Sequence, residues 1–242
     1  MKPYCWELFD AVAAGVKRDS QRAPYMLLYG RPGTGKTTAA VNFAGDRPVY
    51  SVTLTGDTVV QELVGHWVPR GQRFDWHDGP VVRAWREGAL LVINEIDKAA
   101  DAVLSVLLAV LDDHEVARLT LPTGETVRPA PRFYAIATSN SPPEALPEAL
   151  MDRLPVRLEI DQPHPEALER LSGDDGNALR NAVAEAYRSG DPPFTYRQAA
   201  AFGTLRLLGV SDGDAAAAVF GNHACDFLNA LRMGVRRVEE DE

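Results

Sequence analysis

The sequence predicts a three-layer α/β domain built on a parallel five-stranded sheet, followed by a small all-α domain. Short apolar runs alternate with helix-like patterns up to about residue 161, and a glycine-rich octapeptide stands between the first such run and the first such helix. Strand-like runs then stop after Pro163. Alternating strands and helices are the mark of a sheet covered on both faces, and the glycine-rich turn puts a candidate binding loop at a strand end.

The apolar runs at 25–29, 49–54, 89–93, 133–138 and 156–160 have the length and composition of buried parallel strands. Between them, 36–44, 80–87 and 99–111 read as helices, the second with Pro80 in its first turn and Gly88 at its exit. Tyr4, Leu8, Val12 and Val16 recur at helical spacing, so an amphipathic helix is expected before the break at Pro24. Later, Leu179, Val183 and Tyr187, then Phe202, Leu205 and Leu208, then Val219, Phe227 and Leu231 mark helices separated by Gly, Pro and Asp. The expected domains are an α/β core at 1–161 and a helical domain at 162–242. The latter ends in Glu239, Glu240, Asp241 and Glu242, read as a solvated tail.

A net charge of −9, from 34 acidic against 25 basic residues, works against broad salt-dependent adhesion to nucleic acid. Cys5 and Cys225 stand near opposite ends, which excludes a disulfide framework or a structural zinc site and suits a reducing compartment. Met1 to Cys5 lacks a signal-peptide pattern, and the apolar stretches at 90–93 and 103–111 are too short to span a bilayer. The cytoplasm is the expected location.

The octapeptide Gly30-Arg31-Pro32-Gly33-Thr34-Gly35-Lys36-Thr37 fits the phosphate-binding P-loop pattern, and Thr38 continues the nucleotide-binding set. Its glycines let backbone N–H groups converge on phosphate oxygens while the following helix N-terminus adds partial positive charge. Lys36 is expected to reach the outer phosphates, and the Thr37 hydroxyl to ligate Mg²⁺. This motif alone leaves kinases, GTPases and motor ATPases open.

Residues 89–95 form an apolar strand ending in Asn94 and Glu95, where a P-loop enzyme keeps its Walker B acids. Glu95 is the expected general base that orients and deprotonates the attacking water. Asn94 occupies the position where most such ATPases carry Asp, so one negative charge beside the metal is missing although the amide oxygen still accepts a hydrogen bond. Asp97 is read as a cap for the following helix, with a substitute metal-side acid as the alternative.

Further segments share an order and spacing: Gly79-Pro80-Val81-Val82-Arg83-Ala84, Asn94-Glu95-Ile96-Asp97-Lys98-Ala99, Ala137-Thr138-Ser139-Asn140, and Leu146 through Arg153. With the P-loop, they resemble the AAA+ superfamily and, within it, the MoxR-like, dynein-related branch. The family usually reads Asp-Glu-Ile-Asn where this chain has Asn94-Glu95-Ile96-Asp97. The resemblance implies ATP with Mg²⁺, Asn140 as the sensor that positions the hydrolytic water, Arg153 as a finger reaching a neighbouring subunit's nucleotide, and Arg197 as a second sensor in the helical domain. It also implies a homo-oligomeric ring, usually a hexamer, acting on a client or adaptor protein such as one with a von Willebrand factor A domain.

Two hairpins are expected within the core, at 65–77 and 116–128, the second turning at Pro122-Thr123-Gly124. Both resemble inserts of this branch that face a pore or partner. Trp67, Arg70, Arg73 and Trp76 suit either gripping a polypeptide or nucleic acid, or packing the first hairpin onto the sheet. The function expected is a ring-forming remodelling ATPase acting on a protein. The alternatives are a nucleic-acid or restriction-complex motor subunit, and a nucleotide-gated switch in which Asn94 leaves little hydrolysis.

Overall fold

The computed structural model describes residues 5–171, 176–188 and 194–240. Tyr4 of the first predicted helix and Asp241 and Glu242 of the acidic tail lie outside them. The chain forms two compact units, one holding the residues up to Gly30 with Lys36–Glu159, the other holding Arg31–Gly35 with the residues from Ile160 onward.

The first unit opens with α1 (Cys5–Arg18), whose buried side is Trp6, Phe9, Ala13 and Val16. This corrects the expected face, since Leu8 is 40% exposed. A face that includes the two aromatic rings at 6 and 9 removes more apolar area from water than one centred on Leu8 and Val12. There follow β1 (Met26–Tyr29), α2 (Lys36–Asn42), β2 (Val49–Thr53), α3 (Val60–Val64), β3 (Gly65–Arg70), β4 (Arg73–Asp78) and α4 (Pro80–Glu87). Then come β5 (Leu90–Asn94), α5 (Asp101–Val110), β6 (Leu119–Thr120), β7 (Thr126–Val127), β8 (Tyr134–Ser139), α6 (Glu148–Arg153) and β9 (Val156–Glu159).

Five strands pair in parallel in the order β2-β5-β8-β1-β9. Every residue of β5 and β8 is buried, while the edge strands β2 and β9 keep exposed positions. Only the middle of the sheet is therefore covered in the way a continuous apolar run suggests. The register sets Tyr29 level with Ser139, and Ile93 level with Ala137, so the carboxyl ends of β1, β5 and β8 finish together. That is where an open α/β sheet binds ligands.

The first hairpin pairs Trp67 with Trp76 and Arg70 with Arg73 around Gly71 and Gln72. Its tryptophans meet edge to face at 5.4 Å, Trp76 Nε1 donates to Asp78, and Trp67 remains 46% exposed. They pack on each other. The second hairpin shrinks to two-residue strands, β6 and β7. Arg86 joins the two, donating to Asp78 at 2.8 Å and to both Glu125 carboxylate oxygens at 2.7 Å.

The second unit contains α7 (Pro165–Glu169), α8 (Gly176–Arg188), α9 (Tyr196–Leu207), α10 (Asp212–Phe220) and α11 (Ala224–Glu240). Its core gathers Leu179, Val183, Tyr187, Phe202, Phe227 and Leu231, with Phe220 stacked on Phe227 at 3.9 Å. Leu208, expected on a buried face, is 75% exposed because α9 ends at Leu207. Thr195 and Gln198 close a capping box on α9, which satisfies donors that a helix start otherwise leaves orphaned.

Gly65 joins α3 to β3 with φ 136°, and a Cβ there would overlap the His77 carbonyl and the Trp76 ring. Gly65→Ala is expected to destabilise the protein by roughly 2 kcal/mol or more, combining backbone strain with the clash. Urea unfolding followed by circular dichroism checks this, and an unchanged midpoint contradicts it.

Candidate functional site

The loop after β1 turns through three glycines with positive φ: Gly30 at 129°, Gly33 at 79° and Gly35 at 99°. L-residues with side chains avoid such angles, so glycine is required for the turn that exposes backbone N–H groups. Thr34 is buried and its hydroxyl donates to the Arg31 carbonyl, holding the turn closed. Arg31, Pro32, Thr37 and Thr38 are exposed. Within the second unit, a Cβ on Gly33 would lie 3.3 Å from Thr195 Cβ and 3.9 Å from the Arg197 backbone nitrogen. The Arg197 side chain is exposed at the start of α9.

Lys36 opens α2 and is 7% exposed. Its ammonium donates to the Gly30 carbonyl at 2.8 Å and to Asn140 Oδ1 at 3.0 Å. Asn140, just past β8, donates through Nδ2 to both Glu95 carboxylate oxygens, at 2.9 and 2.7 Å. The structure thus joins Lys36, Asn140 and Glu95, which are far apart in sequence, into one hydrogen-bonded chain. Burial lowers the Lys36 ammonium to about 8, while the Glu95 and Asp97 carboxylates act in the opposite direction.

Glu95 has φ 56°, the only positive value outside glycine among the described residues. Such a conformation costs about 1–3 kcal/mol. Hydrogen bonds to a charged group contribute about 1.5–3 kcal/mol each before discounting for solvent. Two of them offset the strain, and the turn aims Glu95 at Asn140.

Asn94 is 6% exposed and bonded through both its amide oxygen and its amide nitrogen. Its Oδ1 accepts from the Thr37 hydroxyl at 2.8 Å and from Thr138 at 3.3 Å, and its Nδ2 donates to Ser51 at 2.9 Å. Ser51 and Thr138 were not foreseen. Each is a polar residue inside an apolar run, but only strand pairing shows that both border position 94. The oxygens of Thr37 and Asn94 form a hard donor pair that fits a divalent cation, without a carboxylate of its own. Among the described residues no cluster of three or more His, Cys, Asp or Glu side chains offers another metal site.

One expectation is revised. Asp97 does not cap α5, whose N-cap is Ala100; it lies in the turn Ile96–Lys98, and its Oδ2 accepts from Ser141 at 2.9 Å. The strand end is followed by a 3₁₀ turn before the helix begins, which moves the cap three residues on. Arg153 is the last residue of α6. Its guanidinium donates to the Leu108 carbonyl at 2.8 Å, the Ala149 carbonyl at 3.2 Å and Asp112 at 3.3 Å, tying α6 to α5.

A parallel sheet with a glycine loop, buried lysine and acidic strand end at its carboxyl edge defines a P-loop nucleoside triphosphatase. Residues 25–154 match the AAA domain of the dynein-related subfamily, and the chain belongs to that family. It is 33% identical to NorQ of Paracoccus denitrificans over 159 residues, 62% of this chain and 58% of NorQ. It is also 37% identical to an uncharacterized Staphylococcus haemolyticus protein over 123 residues, 48% of this chain and 46% of that one. A solved Cytophaga hutchinsonii protein shares 21% identity with a TM-score of 0.47, covering 67% of this chain and 52% of that one. The matches span about half the length of these curated relatives. No helix among the described residues is long and apolar enough to cross a membrane.

Because the folded Lys36 value lies below the usual 10.5, burying the charged amine costs stability at neutral pH. That cost is relieved as pH climbs from about 8 towards 10.5. Nucleotide affinity runs the other way, since phosphate needs the ammonium. ATP binding is expected to be flat below about pH 8 and to weaken about tenfold per pH unit above it, whereas Lys36→Arg stays flat. Fluorescent-nucleotide titration from pH 6.5 to 9.5 checks this, and a flat wild-type curve contradicts it.

Proposed function

We propose that this chain is a Mg-ATP-dependent AAA+ ATPase that assembles into a homo-oligomeric ring and remodels a partner protein in the cytoplasm. The observation that carries the reading is the hydrogen-bonded chain from Lys36 through Asn140 to Glu95. It gathers a phosphate-binding cation, a water-positioning amide and a general base at one strand-end level.

In this reading the amides of residues 30–35 and Lys36 grip the triphosphate. Thr37, with Asn94 beside it, would hold Mg²⁺, which would supply charge neutralisation at the phosphates. Binding of the phosphates draws Lys36 from Asn140, and Asn140 then helps Glu95 hold the attacking water. Glu95 takes the water's proton on its carboxylate as the oxygen attacks the γ-phosphorus and the bond from that phosphorus to the bridging oxygen breaks, with ADP leaving. Arg153 supplies positive charge to a neighbouring copy's nucleotide, which requires it to leave Asp112. Arg197 couples the helical unit to the phosphates. The partner in this reading is a client or adaptor protein, for which a von Willebrand factor A domain is the first candidate.

A second reading, a nucleotide-gated switch with little hydrolysis, is favoured by the engaged amide of Asn94 and the missing metal-side carboxylate. Phosphate release separates the two. Wild type is expected to exceed Glu95→Gln by about a hundredfold, the scale of losing a general base. Equal rates would leave only the switch. Asn94→Asp is expected to destabilise the metal-free protein by roughly 1–3 kcal/mol through an unpaired buried charge, with Mg²⁺ restoring the melting temperature. A variant insensitive to Mg²⁺ would remove Asn94 from the metal site.

A further inference from the structure

Asp97 has no role in the scheme above, yet its side chain is only 4% exposed. Its Oδ2 accepts from the Ser141 hydroxyl at 2.9 Å and lies 3.4 Å from the Lys98 ammonium, which is itself largely exposed. Its Oδ1 is buried and has no hydrogen-bond partner among the described residues. A carboxylate so withdrawn from water is costly unless something else requires it there.

What Asp97 holds is the turn that carries Asn140. The Ser141 N–H donates to the Ser139 hydroxyl at 2.9 Å, and that hydroxyl donates to the Ser141 carbonyl at 2.8 Å. Asn140 is thereby confined between two serines that brace each other. Of the two serines, Ser141 also reaches the Glu95 turn, through Asp97. The left-handed conformation of Glu95 lets the chain reverse so that Asp97, two residues on, meets Ser141 while Glu95 meets Asn140. Two parallel cross-links therefore connect the β5 end to the β8 end.

We propose that Asp97 is a positioning residue: through Ser141 it holds Asn140 at hydrogen-bonding distance from Glu95, and so sets the geometry in which Glu95 receives the attacking water. This rests on the ATPase reading above for its kinetic consequence, but the restraint itself is a matter of the hydrogen bonds within the chain.

The test uses Asp97→Asn, Ser141→Ala, their combination, and Ser141→Thr, which keeps the hydroxyl. In steady-state ATP hydrolysis each of the first two lowers kcat about tenfold or more while KM stays within about twofold. The combination is no worse than the weaker single variant, because both remove one link. Ser141→Thr stays near wild type. Hydrogen exchange in the nucleotide-free protein reads the restraint directly: Asp97→Asn speeds exchange at Asn140 and Ser141 and leaves β8 protected. Unchanged kcat, losses that multiply, or unchanged exchange at 140–141 would each overturn the proposal. If wild type hydrolyses no faster than Glu95→Gln, the ATPase reading fails, and the exchange result alone decides whether Asp97 restrains Asn140.

Discussion

A buried ammonium at the end of a parallel sheet is the constraint around which the site is arranged. Lys36 cannot sit among backbone and side chains without acceptors, and the Gly30 carbonyl and Asn140 Oδ1 supply them. Asn140 in turn has amide hydrogens to place, and Glu95 takes both. Each group therefore satisfies its neighbour.

Position 94 follows the same logic with a different outcome. An amide both donates and accepts, so Asn94 bonds Ser51 on one side and Thr37 on the other without placing a charge in a buried position. The carboxylate that this chain does keep nearby, Asp97, faces Ser141 instead.

The hairpins are less independent than their separation along the chain suggests. Arg86, on the helix between them, meets Asp78 at the base of the first and Glu125 at the turn of the second. Paired forks of this kind hold orientation better than single contacts, although exposed pairs add little to stability.

Much of the fold was legible in the residues. Five apolar runs, the helix bounded by Pro80 and Gly88, and the glycine turn before Lys36 all depend on local chemistry: backbone angles, side-chain size and spacing along one segment. The family followed from motifs in order. The tertiary structure decided what depends on which strands are neighbours. Strand pairing brought Ser51 and Thr138 to Asn94, and set Asn140 against Glu95 and Ser141 against Asp97. It also chose the buried face of α1 and tied Arg153 to α5. A hydrogen bond between residues more than forty positions apart leaves no periodic trace in the chain, because its geometry exists only once the sheet has formed.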